Sequence, residues 1–315
     1  MEKADLEKKN TDNLFVLRKN NDFSESERLD VEPYSYWKSV ARQFASKKSA
    51  IFALIILVIM VILSIVVPMI SDYDVLGVDL EHRYLTPSLT YLFGTDKSGR
   101  DIWTLVWTGC RMSLTIAVVV TLINTFLGII IGGIWGYFRK LDPLMLEIYN
   151  FITNIPALLI YMMLLYVLGT LGTPPFLNLV IAMCITGWAP LARLIRNQMI
   201  IFNNREYNIA SRALGSSPKR IIVNNLLPYI LSVIITNVSL SISQVIGTEV
   251  TLSYFGLGLP QDTISLGRIM RQAYNSWIAH PHVLIFPAIV VGMITIVFYL
   301  LGLALSDALD PRTHR

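Results

Sequence analysis

The chain has 315 residues, 54% of them hydrophobic and only 15% charged. Soluble domains carry roughly a quarter charged residues, so this composition excludes an ordinary soluble enzyme, gives no reason to expect a nucleic-acid partner, and indicates an all-α, polytopic membrane protein in contact with lipid. The net charge of +4 says little by itself; where the charges stand says more.

Residues 1–33 mix both signs with Asn and Ser between them, a pattern that predicts a disordered tail. No early apolar run marks a cleavable signal. Residues 34–49 read YSYWKSVARQFASKKS. Trp37, Val40, Ala41 and Phe44 recur at helical spacing with Lys and Arg among them, which suits an amphipathic helix lying in the membrane interface. The alternative is an extension of the first span. That span is predicted at 50–70, where it acts as an uncleaved anchor.

A loop follows at 71–112. Within it, GTDKSGRD (Gly94–Asp101) offers tight-turn residues, or alternatively a glycine-rich anion nest. From Ser113 to Phe138 there is no Lys, Arg, Asp or Glu. A soluble helix of that length would show a polar face. At about 1.5 Å per residue it crosses a hydrocarbon core of roughly 30 Å. Six spans are predicted in all: 50–70, 113–137, 143–168, 176–194, 230–253 and 283–305. The last five make a core over 113–308, followed by a tail at 309–315. Pro156, Pro190 and Pro287 are candidate kinks, because proline removes a helix hydrogen bond.

Only six of the 26 Lys and Arg residues fall on one side of these spans: Arg83, Lys97, Arg100, Arg111, Arg268 and Arg271. The others share a side with the N-terminal tail. The positive-inside rule therefore puts both termini and the loop 195–227 in the cytoplasm, and 71–112 and 254–282 outside. Cys110 and Cys184 form no disulfide framework or metal spacing and read as buried thiols. The run His280-Pro281-His282 has too few ligands for a metal and reads as the polar start of the sixth span.

The loop 195–227 is long for a membrane bundle, and its interior is patterned. Tyr207, Ala210, Ala213 and Leu214 share a helix face. Small residues crowd that face: Ala210, Ser211, Ala213, Gly215, Ser216 and Ser217. Gly215 suits a helix C-terminus. Ser217 and Pro218 suit the start of a second helix, as N-cap and first helical residue. Pattern alone leaves open an interfacial hairpin without a partner.

The fifth span is unusually polar. Asn237, Ser241, Gln244, Thr248 and Glu249 lie within it. Polar groups facing lipid are costly, so these are candidates to line a translocation pathway. For Glu249 a structural hydrogen-bonding role stands beside that reading.

The loop resembles the EAA loop of ABC-importer permeases: Glu-Ala-Ala, three residues, Gly, nine residues, Ile, one residue, Leu-Pro. The matching positions are Ala210, Ser211, Gly215, Leu227 and Pro228. Ile209 stands in place of the family's Glu and Asn225 in place of its Ile; Glu206 lies one turn earlier. FGTDKSGRD (Phe93–Asp101), EVTLSYFGLGLP (Glu249–Pro260) and LSDALDPR (Leu305–Arg312) resemble the peptide and nickel permease group. Their order resembles the second permease subunit of oligopeptide and dipeptide importers, the OppC/DppC type. YSYWKSV and DPRTHR resemble the Ami-type permeases of Gram-positive bacteria.

The resemblance implies a type I ABC-importer permease of six transmembrane helices, multi-pass in a bacterial cell membrane. Its coupling helix would use Glu206, Tyr207, Ala210, Ser211, Arg212, Ala213, Leu214, Gly215, Ser216, Pro218, Leu227 and Pro228. The implied partners are a second homologous permease, two cytoplasmic ATPases and an extracellular lipid-anchored peptide-binding protein. ATP and magnesium would belong to the ATPases, since this chain has no GxxxxGK[ST]; the resemblance implies a transport subunit with no cofactor and no catalysis of its own. A nickel or other small-solute permease of the same group is the alternative cargo. An ion-coupled carrier working alone would need intramembrane relays, and an intramembrane enzyme would need converging catalytic groups; neither pattern is evident.

Overall fold

The structure is a computed structural model that describes residues 36–260 and 263–309. The chain divides into two units, 1–39 and 40–315. Of the first, only the residues from Tyr36 onward are described, and they open a helix. The tail expected at 1–33 and the last residues, 310–315, lie outside the described part.

Helix α1 (Tyr36–Ser46) stops at Lys47, whose backbone is extended at φ −89° and ψ 111°. It is therefore separate from α2 (Lys48–Ile70) and does not extend it. Phe44 packs on Ala53, Val297 and Leu301. Around much of its surface α2 exposes Phe52, Ile55, Ile59 and Ile62, as a helix bathed in hydrocarbon should.

Helix α3 (Ile102–Tyr137) has 36 residues, about 54 Å at the ordinary rise. It begins well before the span expected at Ser113. Asp101 is its N-cap: the carboxylate accepts from the Thr104 N–H at 2.9 Å and from the Thr104 hydroxyl at 2.7 Å. The early turns bury Ile102, Val106 and Cys110 in protein. Arg111 interrupts the apolar run without interrupting the helix, and the early turns need no lipid because protein covers them.

A 3₁₀ turn (Arg139–Leu141) leads to α4 (Asp142–Asn154) and α5 (Ala157–Thr170). The single kinked span expected over 143–168 is two helices meeting at 85°. Pro156 lacks the N–H that would continue the ladder, and it forces Ile155 into an extended conformation at φ −89° and ψ 130°. Helices α6 (Pro175–Gly187) and α7 (Ala189–Asn203) follow. Together they run through Pro190 as one 29-residue apolar segment. This segment continues past the expected end at Leu194, because its arginines are accommodated by protein. Arg196 pairs with Asp142, and Arg193 lies 4.5 Å from the Tyr149 ring centre.

Next come α8 (Glu206–Ala213), the short α9 (Pro218–Arg220), a π-helical turn (Ile221–Leu226) and α10 (Leu227–Tyr254). The last described helices are α11 (Leu266–Ala273) and α12 (His282–Leu309). Pro287 sits inside α12 without ending it, and that helix extends to Leu309, into the expected tail. Among the described residues, five helical segments are long and apolar enough to cross a membrane; the bent α4–α5 pair can supply a sixth.

Close packing of α3 on α7 rests on Gly128, Gly132 and Gly136, one per turn. A Cβ on Gly132 would lie 2.5 Å from the Ala192 carbonyl oxygen, and one on Gly136 2.5 Å from the Met199 Cβ. Small residues at this spacing let two membrane helices approach at backbone distance. One apolar core gathers Val106, Ile116, Val120, Leu179, Ile246 and Ile294. A second, behind α8, gathers Leu191, Ile195, Met199, Ile221, Leu226 and Ile230.

The GTDKSGRD segment is a locked turn. Asp96 accepts from the N–H groups of Ser98 at 2.8 Å and Arg100 at 3.0 Å, and it pairs with the Arg100 guanidinium at 2.5 Å. Arg100 also donates to Gln272 at 2.8 Å. The backbone donors that an anion nest would need are turned onto Asp96.

Candidate functional site

Two places hold the candidate residues. The first is the α8 knob. Tyr207, Ala210, Ala213 and Leu214 are all exposed there, Leu214 at 87%. Glu206 opens the helix and is exposed as well. Gly215 ends it at φ +80°. The Ser216 N–H donates to the Ser211 carbonyl and the Gly215 N–H to the Arg212 carbonyl, both at 3.0 Å. This pair of bonds is the Schellman stop, which calls for a left-handed residue after the helix. Ser217 then caps α9 by accepting from the Arg220 N–H at 3.4 Å, with Pro218 as its first residue. Leu227 packs into the second core, and Pro228 stands in the first turn of α10.

Behind the exposed face is a set of amides that sequence reading missed. Asn208 is fully buried. Its Nδ2 donates to the Phe202 carbonyl at 2.9 Å, and its Oδ1 accepts from Asn225 Nδ2 at 3.0 Å. Asn225 also reaches the Ser211 hydroxyl at 3.5 Å. Arg212 donates to Asn203 Oδ1 at 2.5 Å. Asn225, which departs from the EAA pattern, thus joins the π-helical turn to the buried side of α8. The helical period gives part of the signal: with Tyr207, Ala210 and Leu214 facing out, the opposite side of α8 falls to Asn208, Ile209 and Arg212, and of these Asn208 is the one fully buried. Beside the knob, the Tyr207 ring lies 5.9 Å from that of Tyr229, which stacks on Phe202 at 5.7 Å. Burial, and after it Tyr229, holds the Tyr207 phenol above the ordinary tyrosine value.

The second place is a cavity of about 470 Å³ between α3, the α4–α5 break, α6 and α10. Asn237, Ser241, Gln244 and Thr248 line it. These positions fall on one helix stripe at steps of four, three and four. Glu249 is one residue off that stripe and does not reach the cavity. It is fully buried instead, accepting from the hydroxyls of Ser113 and Ser253, each at 2.8 Å. Ser113 in turn accepts from the Leu266 N–H at 3.3 Å. Glu249 therefore links α10 to α3 and, through Ser113, to the start of α11. Ile155 and Pro156 also line the cavity. A broken helix frees backbone groups, and at membrane depth such groups are tolerated where they border a cavity.

Residues 124–315 match the model of a family described as the binding-protein-dependent transport system inner membrane component. The chain belongs to this family. Residues 35–87 match a second model, the N-terminal TM domain of oligopeptide transport permease C. The chain is 39% identical over 305 residues to the oligopeptide transport system permease protein AmiD of Streptococcus pneumoniae, covering 96% of this chain and 97% of that relative. It is 33% identical to the oligopeptide permease OppC of Bacillus subtilis, over 92% and 94% of the two chains. It is also 33% identical to that organism's dipeptide permease DppC, over 96% and 94%. Among solved structures, a chain of the inward-facing MetNI methionine ABC transporter superposes with a TM-score of 0.55 at 18% identity, over 65% of this chain and 96% of that one. That likeness shows the fold: an ABC-importer permease, all-α and membrane-spanning.

Proposed function

We propose that this permease is a transmembrane subunit of an ATP-driven oligopeptide importer. It forms half of the translocation pathway, and a second homologous permease forms the other half. Two cytoplasmic ATPases carry the ATP and magnesium, and an extracellular, lipid-anchored binding protein delivers the peptide. The α8 knob seats in a groove of one ATPase, so that closure of the ATPase pair is passed to the spans as a rigid-body movement. Both termini lie in the cytoplasm of a bacterial cell.

The observation that carries this reading is the make-up of α8. It offers Tyr207, Ala210 and Leu214 outward while Asn208 holds it from behind. An exposed apolar face on a rigid support is a docking surface. The small side chains beside it let a partner come close to the backbone.

The test is a Leu214→Cys variant treated with a thiol cross-linker in native membranes, together with uptake measured in cells lacking the wild-type chain. A cross-link to a nucleotide-hydrolysing chain and ATP-dependent uptake of labelled peptide are expected. A variant that cross-links to no such chain, or a wild-type importer that moves nickel but no peptide, overturns the proposal.

A further inference from the structure

A second cavity, of about 620 Å³, opens at the end of α10 away from α8. It is bordered by the same three helices as the first. The lining passes from Tyr161 to Leu165 on α5, from Thr186 to Asn178 on α6, and from Thr248 to Ser253 on α10. In the proposed orientation this end faces outward, so it is the part of the pathway that cargo meets first.

Few basic residues belong to that end of the molecule, yet three of them converge here: Lys97, Arg268 and Arg271. No Asp or Glu lines the cavity among the described residues. The three cations differ in their surroundings. Arg268 is engaged by the frame, donating to the carbonyls of Pro260 at 3.1 Å and Thr263 at 2.7 Å. Arg100, nearby, is neutralised by Asp96 and donates to Gln272 of the cavity wall. Lys97 and Arg271 are exposed, and neither side chain has a hydrogen bond or ion pair among the described residues.

Arg271 has a built seat. Gly256 follows α10 at φ +83°, and a Cβ there would lie 2.1 Å from Arg271 Nη1. The guanidinium occupies the space that a side chain at this position would fill. It rests against backbone while its donors stay unpaired. A cleft lined by one sign of charge attracts the other, and a guanidinium fork matches a carboxylate through two parallel hydrogen bonds. A metal ion would meet neither carboxylate nor imidazole nor thiolate among the described lining residues. The volume falls within the roughly 300–1,000 Å³ of small-ligand clefts, which favours a short peptide over an acidic face of the binding protein.

We propose that Lys97 and Arg271 form an entry site that takes the C-terminal carboxylate of the peptide cargo. This deepens the importer reading and rests on it. Every linear peptide with a free C-terminus carries this group, and with an ordinary pKa of about 3.5 it is ionised at neutral pH. The first cavity has no Lys or Arg in its lining. The carboxylate is therefore recognised at the entrance, before the peptide moves on among hydroxyls and carboxamides.

The test uses the complete importer in proteoliposomes with ATP inside. Uptake of a labelled tripeptide is compared with that of its C-terminal amide, each at a concentration that saturates the binding protein. The wild type is expected to move the free acid about tenfold faster, the effect of one hydrogen bond to a charged group. Arg271→Gln and Lys97→Gln should slow the acid, leave the amide unchanged and so shrink the ratio, while Arg271→Lys keeps part of it. Equal wild-type rates for the two compounds overturn the entry site. A wild-type preference that both Gln variants preserve also overturns it, since the preference then belongs to the binding protein. Variants that slow acid and amide alike overturn it in favour of a contact with the binding protein. If a variant fails to assemble, the wild-type comparison and the remaining variant still decide. A wild type that moves neither compound overturns the importer reading, whereas brisk uptake of both at one rate overturns the entry site alone.

Discussion

The α8 knob and the cavity beside α10 use their polar side chains in opposite ways. At the knob, Asn208, Asn225 and Arg212 all find partners within the chain, and the apolar side chains point outward. In the cavity, apolar and polar side chains share one wall. A surface that transmits force needs internal stiffness and external complementarity. A surface that passes a solute needs hydrogen-bonding capacity left over. The proposed coupling role asks for the first and the proposed pathway role for the second: the knob's amides are paired with one another, whereas Asn237, Ser241, Gln244 and Thr248 border open space.

The largest effect is expected from Gly215→Leu. At φ +80° a leucine is strained by about 1–3 kcal/mol, and relief would dissolve the Schellman stop. No neighbour lies within 4 Å of an added Cβ, so the bundle itself has no reason to fail. Membrane levels on an immunoblot should stay normal while peptide uptake falls to background; normal uptake would remove the knob from the mechanism.

Glu249→Leu tests the line between cavity and scaffold. Ser113 and Ser253 would each lose a buried acceptor, costing about 1–3 kcal/mol apiece. The purified assembly should melt several degrees earlier, with its relative rates for different peptides unchanged. Altered peptide preference would place Glu249 in the pathway after all.

Asn225→Ile restores the residue usual in the EAA pattern and leaves the Asn208 Oδ1 without its donor. A loss of about 1 kcal/mol is expected. The double variant Asn208→Leu, Asn225→Ile should recover part of it, since removing both partners is cheaper than orphaning one. Strict additivity in this cycle would show that the two amides do not cooperate.

The smallest effect is expected at Tyr207. Its phenol is held above the ordinary tyrosine value by burial, so it stays neutral between neutral and mildly alkaline pH. Tyr207→Phe should leave the pH profile of ATP-driven uptake superimposable on the wild type over that range. A profile that changes shape would mean that the hydroxyl itself takes part.

Much of this was legible in the one-dimensional pattern. An apolar run without charge, such as 113–138, has only one way to satisfy its backbone in hydrocarbon, and that is a helix. The stop at Gly215 and the cap at Ser217 are local chemistry, set by neighbours within a few residues. The stripe of Asn237, Ser241, Gln244 and Thr248 follows from helical period alone, and the same period could have excluded Glu249. Tertiary structure decided what depends on distant partners. Arg111 and Arg196 interrupt apolar runs, so the runs end there; the helices continue because protein buries the turns before Arg111, which itself stays exposed, and because Asp142 supplies a carboxylate to Arg196. Pro156 could have bent a helix by a little or broken it, and only the 85° turn shows which. Asn208 pairs with Asn225 across 17 positions, and Asn124 rests on Gly187 from another helix. Period and propensity are properties of neighbours along the chain, but satisfaction of a buried polar atom is a property of neighbours in space.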